Sequence, residues 1–196
     1  IRIVAHFTNP ETLDFSWYAW KLETFGVDYD VFATSYYPYW HGTLENLTAK
    51  LGEVAEAFGK QVLVAETSWA YTPQDTDDHR NSVGATDEPG QPWPFTVEGQ
   101  TQALSAVIGA VKDLGDQALG VFYWEPCWIA VPGDSWAERS EKGETFGSGW
   151  ASSFAGEYDP EDAGQWYGGS ACDNQALFDS EGHPLESLKT FAQWGN

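Results

Sequence analysis

Short apolar runs alternate along this chain with stretches in which apolar residues recur at helical spacing. Ile1 to His6 reads as a strand, and Pro10-Glu-Thr opens an amphipathic helix through about Phe25. Leu13, Trp17, Trp20 and Phe25 fall on one face of that helix, and Gly26 supplies its stop. Asp30 to Tyr37 is a second strand, closed by Pro38. Thr43-Leu-Glu-Asn begins a helix whose stripe is Leu44, Leu47, Leu51, Val54 and Phe58, ended by Gly59. Val62 to Ala65 is an unbroken apolar run, partly β-branched, and suits a strand buried on both faces. A long loop rich in Asp, Pro and Gly, Thr67 to Phe95, leads to a helix over Val97 to Leu114, ended by Gly115. Ala118 to Trp124 is the fourth strand. A second long loop runs to about Asn174, and Pro184 to Trp194 closes as a helix with Leu185, Leu188, Phe191 and Ala192 on one face.

Strands alternating with helices imply parallel βαβ units and an α/β fold. Helices on both faces of an open sheet satisfy that pattern, and so does a (β/α)8 TIM barrel. Polar and aromatic clusters follow every strand, and the loops after the last two strands are the longest, as on the active rim of a barrel. Four βα units are half of such a barrel. The chain contains no Met and opens directly inside a strand-like run. The expectation is therefore that residues 1–196 are the second half (strands 5–8) of one barrel, with a missing N-terminal half as partner.

Composition narrows the function. A formal net charge of −21 argues against nucleic acid or an acidic membrane as partner, and no apolar run reaches the roughly 18 residues of a membrane span. Eleven Trp, nine Tyr and eleven Phe exceed what a core of this size needs. Flat aromatic faces on a non-basic surface suit the C–H faces of sugar rings. Few Lys, many acids and two Cys fit a secreted protein. Cys127 and Cys172 either pair, worth about 4 kcal/mol in the chain-entropy model, or remain free thiols.

Parallel strands put ligand sites at their C-terminal ends. Glu66 stands there, either as a chemical group or as the start of a polar loop. Ser35-Tyr-Tyr-Pro-Tyr-Trp-His-Gly42, Val64-Ala-Glu-Thr67 and Val121-Phe-Tyr-Trp-Glu-Pro126 each end a strand. In this order they resemble strands six, seven and eight of glycoside hydrolase family 53, the arabinogalactan endo-β-1,4-galactanases. The resemblance extends through Gly149-Trp-Ala-Ser-Ser-Phe and Trp166-Tyr-Gly-Gly-Ser to Asp173-Asn-Gln-Ala-Leu-Phe-Asp179, covering nearly all of the chain.

The resemblance implies a retaining glycosidase acting on β-1,4-galactan, with Glu66 as nucleophile. Tyr37, chosen over Tyr36, would hydrogen-bond that nucleophile, and Trp124 would floor the reacting sugar. A phenol donor keeps a carboxylate ionised and oriented, as attack on the anomeric carbon requires. Retaining hydrolysis needs two carboxyl groups roughly 5–5.5 Å apart. The family's acid/base would lie before Ile1, so this chain alone is expected to be inactive, with Glu125 in a structural or rim role. His6 and His41 are candidates to hydrogen-bond sugar hydroxyls. Trp69, Trp128, Trp136, Trp150 and Trp166 are candidate sugar platforms. Within Asp75-Thr-Asp-Asp-His-Arg-Asn81, oxygen donors at alternate positions match a structural calcium site of some bacterial family members through Asp75, Asp77, His79 and Asn81. Ser170 and Asp173 would complete it. Two rival readings share these features: another retaining glycosidase of the same clan, such as a mannanase or cellulase, and a non-catalytic calcium-dependent carbohydrate-binding fragment.

Overall fold

The computed structural model describes residues 1–77, 80–87, 90–131, 133–135, 137–139, 141–142 and 170–194. Its frame is a parallel sheet in sequence order, β1 (Val4–Phe7), β2 (Val31–Ser35), β3 (Gln61–Thr67) and β4 (Ala118–Tyr123). Crossovers through α1 (Phe15–Thr24), α2 (Leu44–Phe58) and α3 (Val97–Lys112) join the strands. The α/β class and the parallel βαβ order expected from the pattern are those observed.

The sheet is buried unequally on its two faces. Phe32, Val62 and Val64 pack with Phe15, Ala19, Leu47, Leu51, Val54, Val107 and Val111 from the helices. The opposite face carries a small cluster of Val31, Ala33 and Leu63, with Ala65 against it. The run Val62 to Ala65 thus alternates between a helix-covered layer and a second apolar layer, which is why no polar residue interrupts it.

Local chemistry sets the helix ends. Thr43 caps α2, its hydroxyl accepting from the Asn46 amide at 3.2 Å, and Gly59 ends it in the left-handed region at φ 65°. Thr96 caps α3 by accepting from the Gly99 amide at 3.0 Å. A Cβ at Gly99 would lie 1.8 Å from the Pro94 carbonyl oxygen, so only glycine lets the incoming loop cross there.

Three expectations change. The first strand begins at Val4 rather than Ile1. The first helix begins at Phe15 rather than Pro10: Asp14 caps it, accepting from the Trp17 amide at 3.0 Å, and Asn9, at φ 54°, turns the chain ahead of Pro10. Its buried face is Phe15 and Ala19 with Leu22 alongside, while Trp17, Trp20 and Phe25 are exposed. Their rings surround Lys21, whose Nζ lies 5.0 to 5.5 Å from the three centroids. The closing helix is two pieces, a 3-10 turn over Glu186–Lys189 and then α4 (Thr190–Trp194).

Both edge strands expose apolar side chains: Val4 on β1, and Leu119 and Phe122 on β4, the last 64% exposed. No helix among the described residues is long and apolar enough to cross a membrane.

Candidate active site

Register brings the ends of the strands together. Ser35 on β2 lies opposite Glu66 on β3, and Thr67 lies opposite Tyr123 on β4. The ladder continues past the strand ends, with the Tyr36 amide donating to the Glu66 carbonyl at 2.8 Å and the Trp124 amide to the Thr67 carbonyl at 2.8 Å. Glu66 stands on this rim with its side chain 23% exposed.

Alternation divides the neighbouring tyrosines. Tyr36 turns into the core and its phenol donates to the Gly42 carbonyl at 2.9 Å. Tyr37 turns the other way and donates to Glu66 Oε2 at 2.9 Å. Burial, then this bond to a carboxylate, push the Tyr37 pKa well above the ordinary phenol value, so it stays a donor. His6 sits across the carboxylate from Tyr37. Its Nε2 is 2.9 Å from Ser35 Oγ and 3.9 Å from Glu66 Oε1. Trp124, next along the rim, is 41% exposed, and Trp128 is half-buried, its indole N–H without an acceptor among the described residues. Glu125 adopts φ 50° ahead of Pro126, and burial raises its carboxyl pKa.

Two expected substrate contacts become structural. Trp69 is 1% exposed: one face stacks on Tyr39 at 4.5 Å and 7°, and its indole N–H donates to the Pro94 carbonyl. A ring sandwiched this way cannot receive a sugar, and it anchors the long loop instead. His41 is 7% exposed, with Nδ1 accepting from the Tyr37 amide at 3.1 Å. Burial lowers its pKa, so it is a neutral brace under Tyr37. Trp136, Trp150, Trp166 and His79 lie outside the described residues.

Pattern reading passed over three residues. Ser35 was visible only as the partner in register of Glu66. Trp40, exposed and tilted against Tyr37 at 5.6 Å, was one among many aromatics. Gln100 is fully buried, a polar residue in a helix's apolar face. Its amide nitrogen lies within hydrogen-bond reach of the Trp69, Ala176 and Gln175 carbonyls at 2.7, 3.0 and 3.2 Å, and its oxygen accepts from Ser187. The Tyr123 phenol joins the same hub, donating to the Gln175 carbonyl at 2.8 Å.

The acidic loop is knitted to the chain after residue 169. Asp75 accepts from the Asp77 and Asn81 amides, Asp77 from the Ser170 amide at 2.9 Å, and Asp173 from Thr76. Among the described residues, Asp173 Oδ1 and Asn81 Oδ1 are buried without a hydrogen-bond partner. Burial raises the Asp173 pKa, and the charge of Asp75 adds to it. Hard oxygen donors of this kind, desolvated and unpaired, fit a calcium ion. The acids are not drawn tightly together: among the described residues, ligand atoms of three such groups within 4.8 Å of one another occur at Asp179, Glu181 and His183, on an exposed turn. Cys127 and Cys172 are free thiols, and burial raises Cys172 to about 11.

A family model described as Glycosyl hydrolase family 53 matches residues 1–191. The endo-beta-1,4-galactanase of Bacillus subtilis (strain 168) is 56% identical over 195 residues, which is 97% of this chain and 45% of that protein. The arabinogalactan endo-beta-1,4-galactanase of Cellvibrio japonicus is 33% identical over 133 residues, 67% of this chain and 34% of its own length. Among solved structures, the Ignisphaera aggregans GH53 catalytic domain superposes with a TM-score of 0.75 at 32% identity, covering 97% of this chain and 46% of that one. The chain thus spans about half the length, or less, of these relatives.

The buried phenols generate an alkaline signature. Burial, reinforced by Glu23, raises Tyr29 to about 12, and burial, reinforced by Asp173 and Asp179, raises Tyr71 to about 12. A phenol that holds its proton more tightly when folded stabilises fully below its unfolded value and loses that contribution as pH rises through the folded one. With Cys172 raised from 9.0 in the same sense, urea midpoints should hold level up to about pH 9, fall from there, and keep falling toward about 12 as the phenols titrate. A midpoint that stays level across that window would contradict these environments.

Proposed function

The chain belongs to glycosyl hydrolase family 53, and from that premise we propose that it supplies strands five to eight of a (β/α)8 barrel in a retaining endo-β-1,4-galactanase. Support for the placement comes from the all-parallel sheet in sequence order and the exposed apolar side chains on both edge strands. Preceding strands would cover those edges and close the ring. The preceding half would also bring the second carboxyl group.

The observation that carries the activity is the Tyr37–Glu66 hydrogen bond at the C-terminal end of the strands. Glu66 attacks the anomeric carbon while the glycosidic bond breaks. The leaving oxygen takes its electron pair, and a proton from the carboxylic acid of the preceding half. Water then displaces Glu66 from the sugar, and the same acid, now a base, accepts the water's proton. Trp124 offers its exposed face to the flattened ring, with Trp128, Trp150 and Trp166 as platforms for further sugars. The substrate is the neutral galactan side chains of pectin, handled outside the cell. A net charge of −21 suits a neutral chain and opposes a polyuronate one.

In the full-length polypeptide, Glu66→Gln should abolish galactan hydrolysis, a loss of roughly 10⁴-fold or more, while galacto-oligosaccharide binding persists. Turnover that survives the change, or parent activity on β-1,4-mannan but not galactan, would overturn the reading.

We also propose that Asp75, Asp77, His79, Asn81, Ser170 and Asp173 hold a structural calcium ion, with His79 giving its backbone carbonyl because imidazole suits softer ions. The ion would bridge the loops after β3 and β4. Chelation should then lower the melting temperature, since a ligand bound only by the folded state stabilises it by mass action. The double variant Asp75→Ala, Asp77→Ala should melt low and ignore chelator. An unchanged melting temperature on chelation of the parent would remove the ion from the account.

A further inference from the structure

The two oxygens of Glu66 are not equivalent. Oε2 accepts the Tyr37 phenol at 2.9 Å. Oε1 accepts no hydrogen bond from a described residue and faces His6 Nε2 at 3.9 Å, beyond hydrogen-bond reach. His6 is itself held: it lies in β1 opposite Ala33, and its Nε2 lies 2.9 Å from the hydroxyl of Ser35, a buried residue. Ser35 in turn sits opposite Glu66 in the sheet. One ring is therefore fixed against the free oxygen by the strand that lies between them.

A glutamate's last torsion is broad and roughly two-fold, so a single bond to Oε2 leaves the carboxylate free to swing about it. A rigid imidazole beside Oε1 limits that swing. An oxygen that is to form a bond to carbon also needs lone-pair density free of hydrogen bonds: no described donor engages either lone pair of Oε1, whereas one of those on Oε2 is taken by the Tyr37 phenol. We infer that Oε1 is the oxygen presented to the anomeric carbon, and that His6, braced by Ser35, is a positioning residue that fixes its direction. This rests on Glu66 being the nucleophile. His6 does not touch the reacting atoms, and it acts through where Oε1 points.

The test uses the full-length polypeptide and a dinitrophenyl β-1,4-galactobioside. Its phenolate leaves with the electron pair of the broken bond and needs no proton, so the first step reports the attack of Glu66 alone. A misplacement of about 1 Å can cost on the order of 10²-fold. His6→Ala should therefore slow formation of the glycosyl-enzyme about 10- to 100-fold while substrate affinity changes less than about 3-fold. His6→Gln carries an amide nitrogen that can reach the place of Nε2, and should recover part of the rate. Ser35→Ala removes one oxygen and should slow the same step less; it carries the test should His6→Ala not fold. Rates of His6→Ala and Ser35→Ala within about 2-fold of the parent, or equal losses in His6→Ala and His6→Gln, would overturn the inference. Glu66→Gln separates the two levels. Turnover retained there defeats the glycosidase reading itself, whereas turnover lost there and kept in His6→Ala defeats the inference alone.

Discussion

A carboxylate at the end of a buried strand has to be held and still left accessible, and here a phenol on the neighbouring strand holds one of its two oxygens. The bond from Tyr37 to Glu66 spans two neighbouring strands, so it forms only when β2 and β3 are in register. Its geometry depends on His41, which holds the Tyr37 amide, and on Tyr36, which points the opposite way and locks the turn through Gly42. Sheet register, core packing and site geometry are consequently one constraint. A slip by one residue would bury Tyr37 and turn Tyr36 outward.

The rim above Glu66 is held from behind by polar contacts that the core cannot provide. Gln100 and Tyr123 gather the carbonyls of Trp69, Gln175 and Ala176, tying α3 and β4 to both long loops. Buried carbonyls of this kind cost about 1–3 kcal/mol each when left unpaired. The hub therefore specifies one arrangement of the loops rather than several. Trp69, stacked on Tyr39, adds an apolar wedge to the same junction. Among the described residues, the rim around Glu66 is thus supported by contacts from behind.

Much of this was legible in the sequence, for stated reasons. β2, β3 and α2 follow from apolar runs bounded by Pro38 and Gly59, where one period dominates. Glu66 was visible because an acid directly after a buried apolar run is unusual; alternation lets only one of Tyr36 and Tyr37 face it, and the family resemblance pointed to Tyr37. The first helix was placed on the wrong face because its aromatic residues outweighed Ala19, a small residue that packs where a large one would not fit. Trp69 and His41 were read as sugar contacts because an aromatic at a strand end looks the same whether its faces are open or occupied. Burial is set by loops distant in sequence, and periodicity carries no information about them. Ser35 and Gln100 escaped notice for the same reason: their partners lie on other elements.

The central claim is that Glu66 forms a bond to sugar. The most direct measurement is mass mapping of the full-length polypeptide after reaction with an activated 2-deoxy-2-fluoro-galactobioside, which slows release of a glycosyl-enzyme more than its formation. The account predicts one added 2-deoxy-2-fluoro-galactobiosyl group on the peptide that spans Lys60 to Tyr71, fragmenting to place it on Glu66. A label on any other residue, or none from an enzyme that turns over galactan, would contradict it.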